Sequence, residues 1–482
     1  MSTSEPSPVV AAPGTIDFGV VGLGVMGAQL ARNVASRGFS VAGLERDPAA
    51  ARRVAAAYPE AKLQVAESAA EFVALLAPPR RILVMVPAGK PVDDVLDLLD
   101  PLLGAEDILI DGGNSHFADT ERRQARAASR PWRFVGMGVS GGEEGALRGP
   151  SLMPGGDREA YARLRPVLEA IAARSASGAC VTHCGNGAAG HFVKMVHNGI
   201  EYGDMQLIAE TVTLAMGGLG LDHDGTADLF AAWNQGELES FLVELTAQVL
   251  RVADPERPGA RLVDAILDVA GQKGTGKWTV AAALDLGVAI PTITAAVDAR
   301  IGSSDKALRV RAEAALRGSG GFVRAPLVGV GPDDLAHALY AAKLASYTQG
   351  FSMLRAASQA RGYDVPLAEV ARIWTAGCII RARFLGRIQE ALSGAAAEVP
   401  LALTPGFVDD VRARLPALRR VVAAAVAGGY AVPGLAASLT WFDTLATARG
   451  SAWVIQAQRD AFGAHGFERV ERPGVAVRGR WG

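Results

Sequence analysis

The sequence predicts a doubly wound α/β domain first, a large all-helical region after it, and a C-terminal tail. Two patterns and one length point there. Between residues 16 and 187, short apolar runs alternate with Ala-, Leu- and Arg-rich segments, a rhythm that builds a mostly parallel sheet covered by helices. From 188 to 446, strand signals give way to long helical patterns. The 482 residues also exceed what one hydrophobic core organises.

Residues 1–15, MSTSEPSPVVAAPGT, hold Ser, Pro and Ala but no basic start ahead of an apolar run. A disordered leader is expected there, not a signal peptide. The first strand, IDFGVVGLG, runs into Gly22-Leu23-Gly24-Val25-Met26-Gly27 and then a helical pattern. In that context the first glycine makes a tight turn and the second lets a pyrophosphate approach the backbone. The third packs helix on strand, and the helix N-terminus stabilises the phosphate charge. A Rossmann-like dinucleotide site follows. The second strand, FSVAGLE, leads into Glu45-Arg46-Asp47. An acid there bonds a ribose 2′-hydroxyl and repels a 2′-phosphate, favouring NAD. Arg46 points the other way, since a guanidinium pairs with a 2′-phosphate or stacks on adenine. RILVMVP, DILIDGG and WRFVGMGVS supply three more strands.

The helical region carries KMVHNGIEYGDMQ, Lys194 to Gln206. On a helix, Lys194, His197, Asn198, Glu201 and Tyr202 share an arc of about 140°. A solvated charged face has no need of His, Asn and Tyr beside Lys. Nor does it need Gly199 and Gly203, each costing a helix about 1 kcal/mol against Ala. The pattern points to a catalytic or binding face approached closely at the backbone. Ser140-Gly141-Gly142, after the fifth strand, offers N–H groups and a hydroxyl to a carboxylate or a hydroxyl-rich ligand. Gly271-Gln-Lys273-Gly-Thr275-Gly-Lys277-Trp278 nearly matches a nucleotide phosphate loop. Trp278, however, replaces the magnesium-binding hydroxyl, and the preceding LVDAILDVA reads as helix. A lysine–threonine cradle for a phosphate ester fits better. KLASYTQGFSML, from Lys343, echoes the Lys194 segment without its His, Asn and Glu, through either duplication or chance likeness of Ala-rich helices. From 447 the chain reads as a tail.

Composition narrows the classes. A formal charge of −2 argues against nucleic acid or acidic membrane as partner. Three cysteines build no disulfide framework, and Cys180-x3-Cys184 around His183 lacks the second ligand pair of a metal site, so no metal is expected. With no apolar run of about 18 residues, a membrane span is not expected, and the cytoplasm is the expected address.

Several segments carry a resemblance: VGLGVMG, DGGNSHFADTERR, GVSGGEEGALRGPSLMPGG, GHFVKMVHNGIEYGDMQLIAE, DVAGQKGTGKWT, GCIIRARFLG and IQAQRDAFGAH. The chain resembles the decarboxylating 6-phosphogluconate dehydrogenases, within the β-hydroxyacid dehydrogenase superfamily, from about residue 17 to the tail. The resemblance implies oxidation of 6-phosphogluconate to ribulose 5-phosphate and CO2, with NADP as cofactor, in the oxidative branch of the pentose phosphate pathway. Lys194 would take the 3-hydroxyl proton, and Glu201 would protonate C1 of the enediol. Asn114, Ser140, Gly141, Gly142, His197 and Asn198 match positions holding the sugar acid. Tyr202, Lys273, Thr275 and Arg300 match those around the phosphate. Arg459 and His465 match residues that reach it from the other subunit of a homodimer. Val25 and Met26, Glu45 to Asp47, and Val86, Ala88 and Asn114 would face the cofactor.

The chain departs from that pattern in places. Glu45-Arg46-Asp47 replaces the common Asn-Arg-Thr, so dual or NAD-leaning specificity is expected. Pro87 stands where many members have lysine, and the chain stops at Trp481-Gly482, short of the tail some members thread through the partner. Alternatives are another β-hydroxyacid dehydrogenase, such as a 3-hydroxyisobutyrate type, or a non-catalytic dinucleotide-binding protein.

Overall fold

The computed structural model describes residues 12–317, 324–394 and 399–481; most of the expected leader, residues 1–11, lies outside the described residues. Seven strands form one sheet: β1 (Phe18–Val21), β2 (Val41–Leu44), β3 (Gln64–Ala66), β4 (Arg81–Val84), β5 (Ile108–Asp111), β6 (Arg133–Ser140) and β7 (Ser151–Gly156). Their order is β3-β2-β1-β4-β5-β6-β7, parallel throughout except for antiparallel β6 and β7. Every residue of β1, β2 and β5 is buried, as apolar strands covered on both faces must be. Five strands match the expected runs. β3 is only three residues long, and β7, SLMPGG, carries Pro and Gly that strand propensity disfavours. Pro154 is tolerated because β7 is an edge strand.

Helices α1 (Val25–Ser36), α2 (Pro48–Ala57), α3 (Ala69–Leu75), α4 (Lys90–Leu99), α5 (Phe117–Ala127), α6 (Gly142–Arg148) and α7 (Arg158–Ile171) belong to this layer, followed by a two-residue ladder of β8 (Arg174–Ser175) and β9 (Gly178–Ala179). Then comes α8 (Ala189–Thr213), 25 residues long and buried around most of its circumference, as expected of a helix at the centre of a helical core. The helices after it are α9 (His223–Trp233), α10 (Phe241–Leu250), α11 (Thr275–Asp285), α12 (Pro291–Ser303), α13 (Lys306–Arg317) and α14 (Pro332–Arg361). They continue with α15 (Leu367–Ile373), α16 (Phe384–Leu392), α17 (Val408–Ala427) and α18 (Pro433–Leu445). Among the described residues no helix is long and apolar enough to cross a membrane.

Helix packing explains the glycines of α8. A Cβ on Gly199 would lie 2.6 Å from Thr279 Cγ2 of α11, and one on Gly203 would lie 2.4 Å from Ser346 Oγ of α14. The close approach at these glycines is by neighbouring helices, not by a ligand. The echo segment lies on α14, against α8. There Lys343 Nζ donates to Asp204 Oδ2 of α8 at 2.5 Å with both side chains buried, so the lysine matching Lys194 is an ion-pair partner in the core.

One expectation needs correction. LVDAILDVA is not a helix: only Leu262–Ala265 makes a 3₁₀ turn. Ile266 and Leu267 are exposed, so a helix there would bury no apolar face, and short helices need such burial. The C-terminal tail from 447 has structure of its own. It holds α19 (Ala452–Gly463) and a hairpin of β10 (Phe467–Arg469) and β11 (Arg472–Val477). Asp460 ties this unit together by accepting from the N–H groups of Gly466 and Gly479 and from Trp481 Nε1, each at 2.8 Å.

Candidate active site

A cleft of about 1110 Å³ opens beyond the C-terminal ends of β1, β4 and β5, between the sheet and helices α8, α11 and α12. The chain runs outward from β1 through β2 to β3 and then crosses back to β4 on the other side of β1, and open parallel sheets bind ligands at such a switch point. The three glycines of the first turn have distinct jobs. Gly22 has φ +88°, and a Cβ there would lie 2.6 Å from the Met85 carbonyl oxygen. A Cβ on Gly27 would lie 1.9 Å from the Gly22 carbonyl oxygen, so only glycine lets α1 sit this close to the turn. Gly24 has open space where its side chain would be and lines the cleft beside Val25 and Met26. That is the geometry a pyrophosphate needs.

The end of β2 reaches this turn. Leu23 N–H donates to Glu45 Oε2 at 2.7 Å, and Arg46 N–H donates to Glu45 Oε1 at 2.9 Å. Asp47 caps α2 by accepting from Ala49 N–H at 3.0 Å. Arg46 is exposed, and its guanidinium has no hydrogen bond or ion pair among the described residues. None of the three lines the cleft proper, whereas Val86, Pro87, Ala88 and Asn114 do.

At the other end, α8 delivers Lys194, Asn198, Glu201 and Tyr202 to the cleft wall, and β6 with its following turn delivers Ser140, Gly141 and Gly142. Gly141 could not be another residue: it has φ +116°, and a Cβ would lie 2.7 Å from the Gly377 carbonyl oxygen. Burial lowers the Lys194 ammonium below the ordinary lysine range, against the pull of Glu201 and Cys378. Burial likewise raises the Glu201 carboxyl, opposed by Lys194 and Arg300. A lysine more readily neutral and a glutamate more readily protonated are suited to act as a base and an acid two turns apart on one helix.

His197 stands behind this wall. It is fully buried, with Nε2 3.2 Å from Ser140 Oγ, Nδ1 3.2 Å from Asn198 Oδ1, and its ring edge-on to Trp374. Burial and the Lys194 charge hold it well below the ordinary histidine value, so it is neutral and orients its two neighbours. Lys273, Thr275 and Arg300 join Tyr202 in the cleft, and the Arg300 guanidinium lies 3.6 Å from the Tyr202 ring centroid, a cation–π contact. Arg459 and His465 are exposed and do not line this cleft. Sequence reasoning missed Gly138, whose Cβ would lie 2.4 Å from Lys194 Cβ. It also missed Trp278 as a wall residue and Ile379 from the α15–α16 connection. A glycine inside an apolar strand was the available signal for the first; nothing local marks the other two.

A glycine-rich dinucleotide turn facing a buried lysine and a partly buried glutamate across one cleft defines a nicotinamide-dependent oxidoreductase. Comparison with known proteins narrows the class. Residues 17–185 match the family model for the NAD binding domain of 6-phosphogluconate dehydrogenase, and residues 190–481 match its C-terminal domain. The decarboxylating 6-phosphogluconate dehydrogenase of Synechococcus elongatus is 50% identical over 95% of this chain and 98% of its own. A chloroplastic one from rice, Oryza sativa subsp. japonica, is 48% identical over 95% and 92%. The solved 6-phosphogluconate dehydrogenase of Plasmodium falciparum, described in its apo form and in complexes with NADP+ and with 6-phosphogluconate, superposes with a TM-score of 0.92 at 38% identity, covering 96% of this chain and all of that one. The chain belongs to the 6-phosphogluconate dehydrogenase family.

Proposed function

We propose that this protein oxidatively decarboxylates 6-phospho-D-gluconate to D-ribulose 5-phosphate and CO2. The carrying observation is the placement of Lys194 and Glu201, with opposite pKa shifts, on one buried helix facing the dinucleotide turn. Bound NAD(P)+ supplies the hydride acceptor for C3. Neutral Lys194 accepts the 3-hydroxyl proton, giving a β-keto acid whose ketone accepts the electrons of the breaking C–C bond. Protonated Lys194 returns that proton to the carbonyl oxygen, and Glu201 protonates C1 of the enediol. Asn114, Asn198, Ser140, Gly141 and Gly142 hold the sugar acid, with His197 fixing Ser140 and Asn198 from behind. Tyr202, Lys273, Thr275 and Arg300 surround the phosphate.

The cofactor reading is NAD alongside NADP, or ahead of it. It is supported by Glu45, whose carboxylate is tied to the glycine-rich turn, where it disfavours a second anion at the ribose. A homodimer is the assembly reading, with residues 447–482 reaching the partner to add Arg459 and His465 to its phosphate site. Trp453, Ile455, Phe462 and Trp481 of that segment are more than half exposed in the single chain, an apolar surface suited to a second copy. The test is turnover of 6-phosphogluconate with each cofactor: one CO2 per reduced cofactor is expected, and no turnover overturns the proposal. A kcat/KM preference for NADP above about 100-fold, about 2.7 kcal/mol of differential transition-state binding, overturns the cofactor reading alone.

A further inference from the structure

Arg123, on α5, is among the largest fully buried side chains, and its side chain is 0% exposed. A guanidinium has five N–H donors in a planar fork, and here each has an acceptor. Nε donates to Asp93 Oδ1 at 2.8 Å, and Nη2 donates to Asp93 Oδ2 at 3.2 Å and to the Gly89 carbonyl at 2.9 Å. Nη1 donates to Asp111 Oδ2 and to Ser115 Oγ, both at 3.2 Å. The acceptors come from two separate loops and the elements beside them.

Both loops line the cleft. Gly89 closes the segment Val86–Ala88 and caps α4 with φ +89°. Asp111, at the end of β5, shapes the other loop by accepting from Gly113 N–H at 3.1 Å and from the Ser115 hydroxyl at 2.6 Å, while Asn114 between them is exposed toward the cleft. The loops are adjacent, since a Cβ on Gly113 would lie 3.2 Å from the Val86 carbonyl oxygen. Two carboxylates, Asp93 and Asp111, face Arg123, and Arg122 adds a second cation at Asp93. The Asp93 carboxyl is held at about 2, chiefly by its hydrogen bond from Arg123, so it stays ionised at neutral pH.

We infer that Arg123 is a positioning residue that fixes the spacing of the Val86–Gly89 and Gly112–Ser115 loops, and so the part of the cleft that receives the cofactor beside Asn114. The inference rests on reading this cleft as the NAD(P) site. Lysine keeps the charge but has three donors at one point, so it cannot span both loops. Misplacement of about 1 Å in such a site can lower rates about 100-fold.

Arg123→Lys is therefore expected to stay folded by circular dichroism and to raise both the Kd for NADPH or NADH and the cofactor KM by about tenfold or more. Arg126→Lys is the control: it lies one turn on along α5 and pairs with Asp97 and Asp100, away from the cleft. It is expected to change thermal stability while moving cofactor Kd and KM less than about twofold. Cofactor Kd and KM within about twofold of wild type in a folded Arg123→Lys protein would overturn the inference. Should Arg123→Lys not fold, Ser115→Ala decides, because it removes one acceptor of the same network. A cofactor Kd raised about threefold or more supports the role, and an unchanged one overturns it. Wild-type protein that binds neither NADPH nor NADH refutes the reading of the cleft instead.

Discussion

At the scale of single residues, the acid–base pair depends on where burial places charge. Lys194 has its ammonium disfavoured by the helical core, and Glu201 has its carboxylate disfavoured by the same core. Lys194→Ala is expected to lower kcat by about 10² to 10⁴-fold while leaving cofactor Kd within about twofold. Glu201→Gln should show a similar loss together with loss of solvent hydrogen incorporation at C1 of the product. Activity unchanged in either protein would remove that residue from its role. These two were legible in the sequence because they sit seven positions apart on one helix, and helical periodicity alone brings them to one face. Arg123 was not legible in the same way. DGGNSHFADTERR contains it, but its five acceptors come from chain positions 89 to 115, and no local period reports such a convergence.

At the scale of elements, α8 serves both chemistry and packing. Its glycines read from sequence as points of close approach, which they are, but the approaching groups are Thr279 and Ser346. Sequence could not say which, because the partner helices lie about 80 and 140 residues away and contact is set by tertiary packing. Gly199→Ala is expected to destabilise the protein by about 1–3 kcal/mol through overpacking against Thr279, read as a lower urea midpoint at unchanged slope. A change below about 0.5 kcal/mol would mean α11 moves aside without strain. The sheet shows the complementary limit. Runs such as RILVMVP are legible because buried parallel strands are continuously apolar, whereas β7 escapes notice because its pairing with β6, not its composition, makes it a strand.

At the scale of the whole molecule, the cleft of one chain holds most of the residues proposed for the dinucleotide, the sugar acid and the phosphate, and leaves Glu45 to Asp47, Arg459 and His465 outside. If a partner supplies these two, inactive variants should complement each other. Refolding a mixture of Lys194→Ala and Arg459→Ala proteins gives half heterodimers, each with one fully wild-type site, so about a quarter of wild-type activity should return. Activity no higher than the sum of the separate proteins would refute sharing. The expectation of a shared site rests on resemblance alone, because an exposed arginine and histidine carry no signal of their own. The α19–hairpin unit organised on Asp460 gives that end a defined shape.

Glu45 has a last consequence. Its carboxylate takes the Leu23 N–H, so the group that would discriminate between ribose and ribose phosphate also braces the turn that would hold the pyrophosphate. With the cofactor bound as proposed, recognition at the two ends of the adenosine diphosphate would be thermodynamically coupled through one side chain. A substitution there that trades one cofactor for the other would then alter grip as well as choice, and a second change at the glycine-rich turn would be expected to restore it.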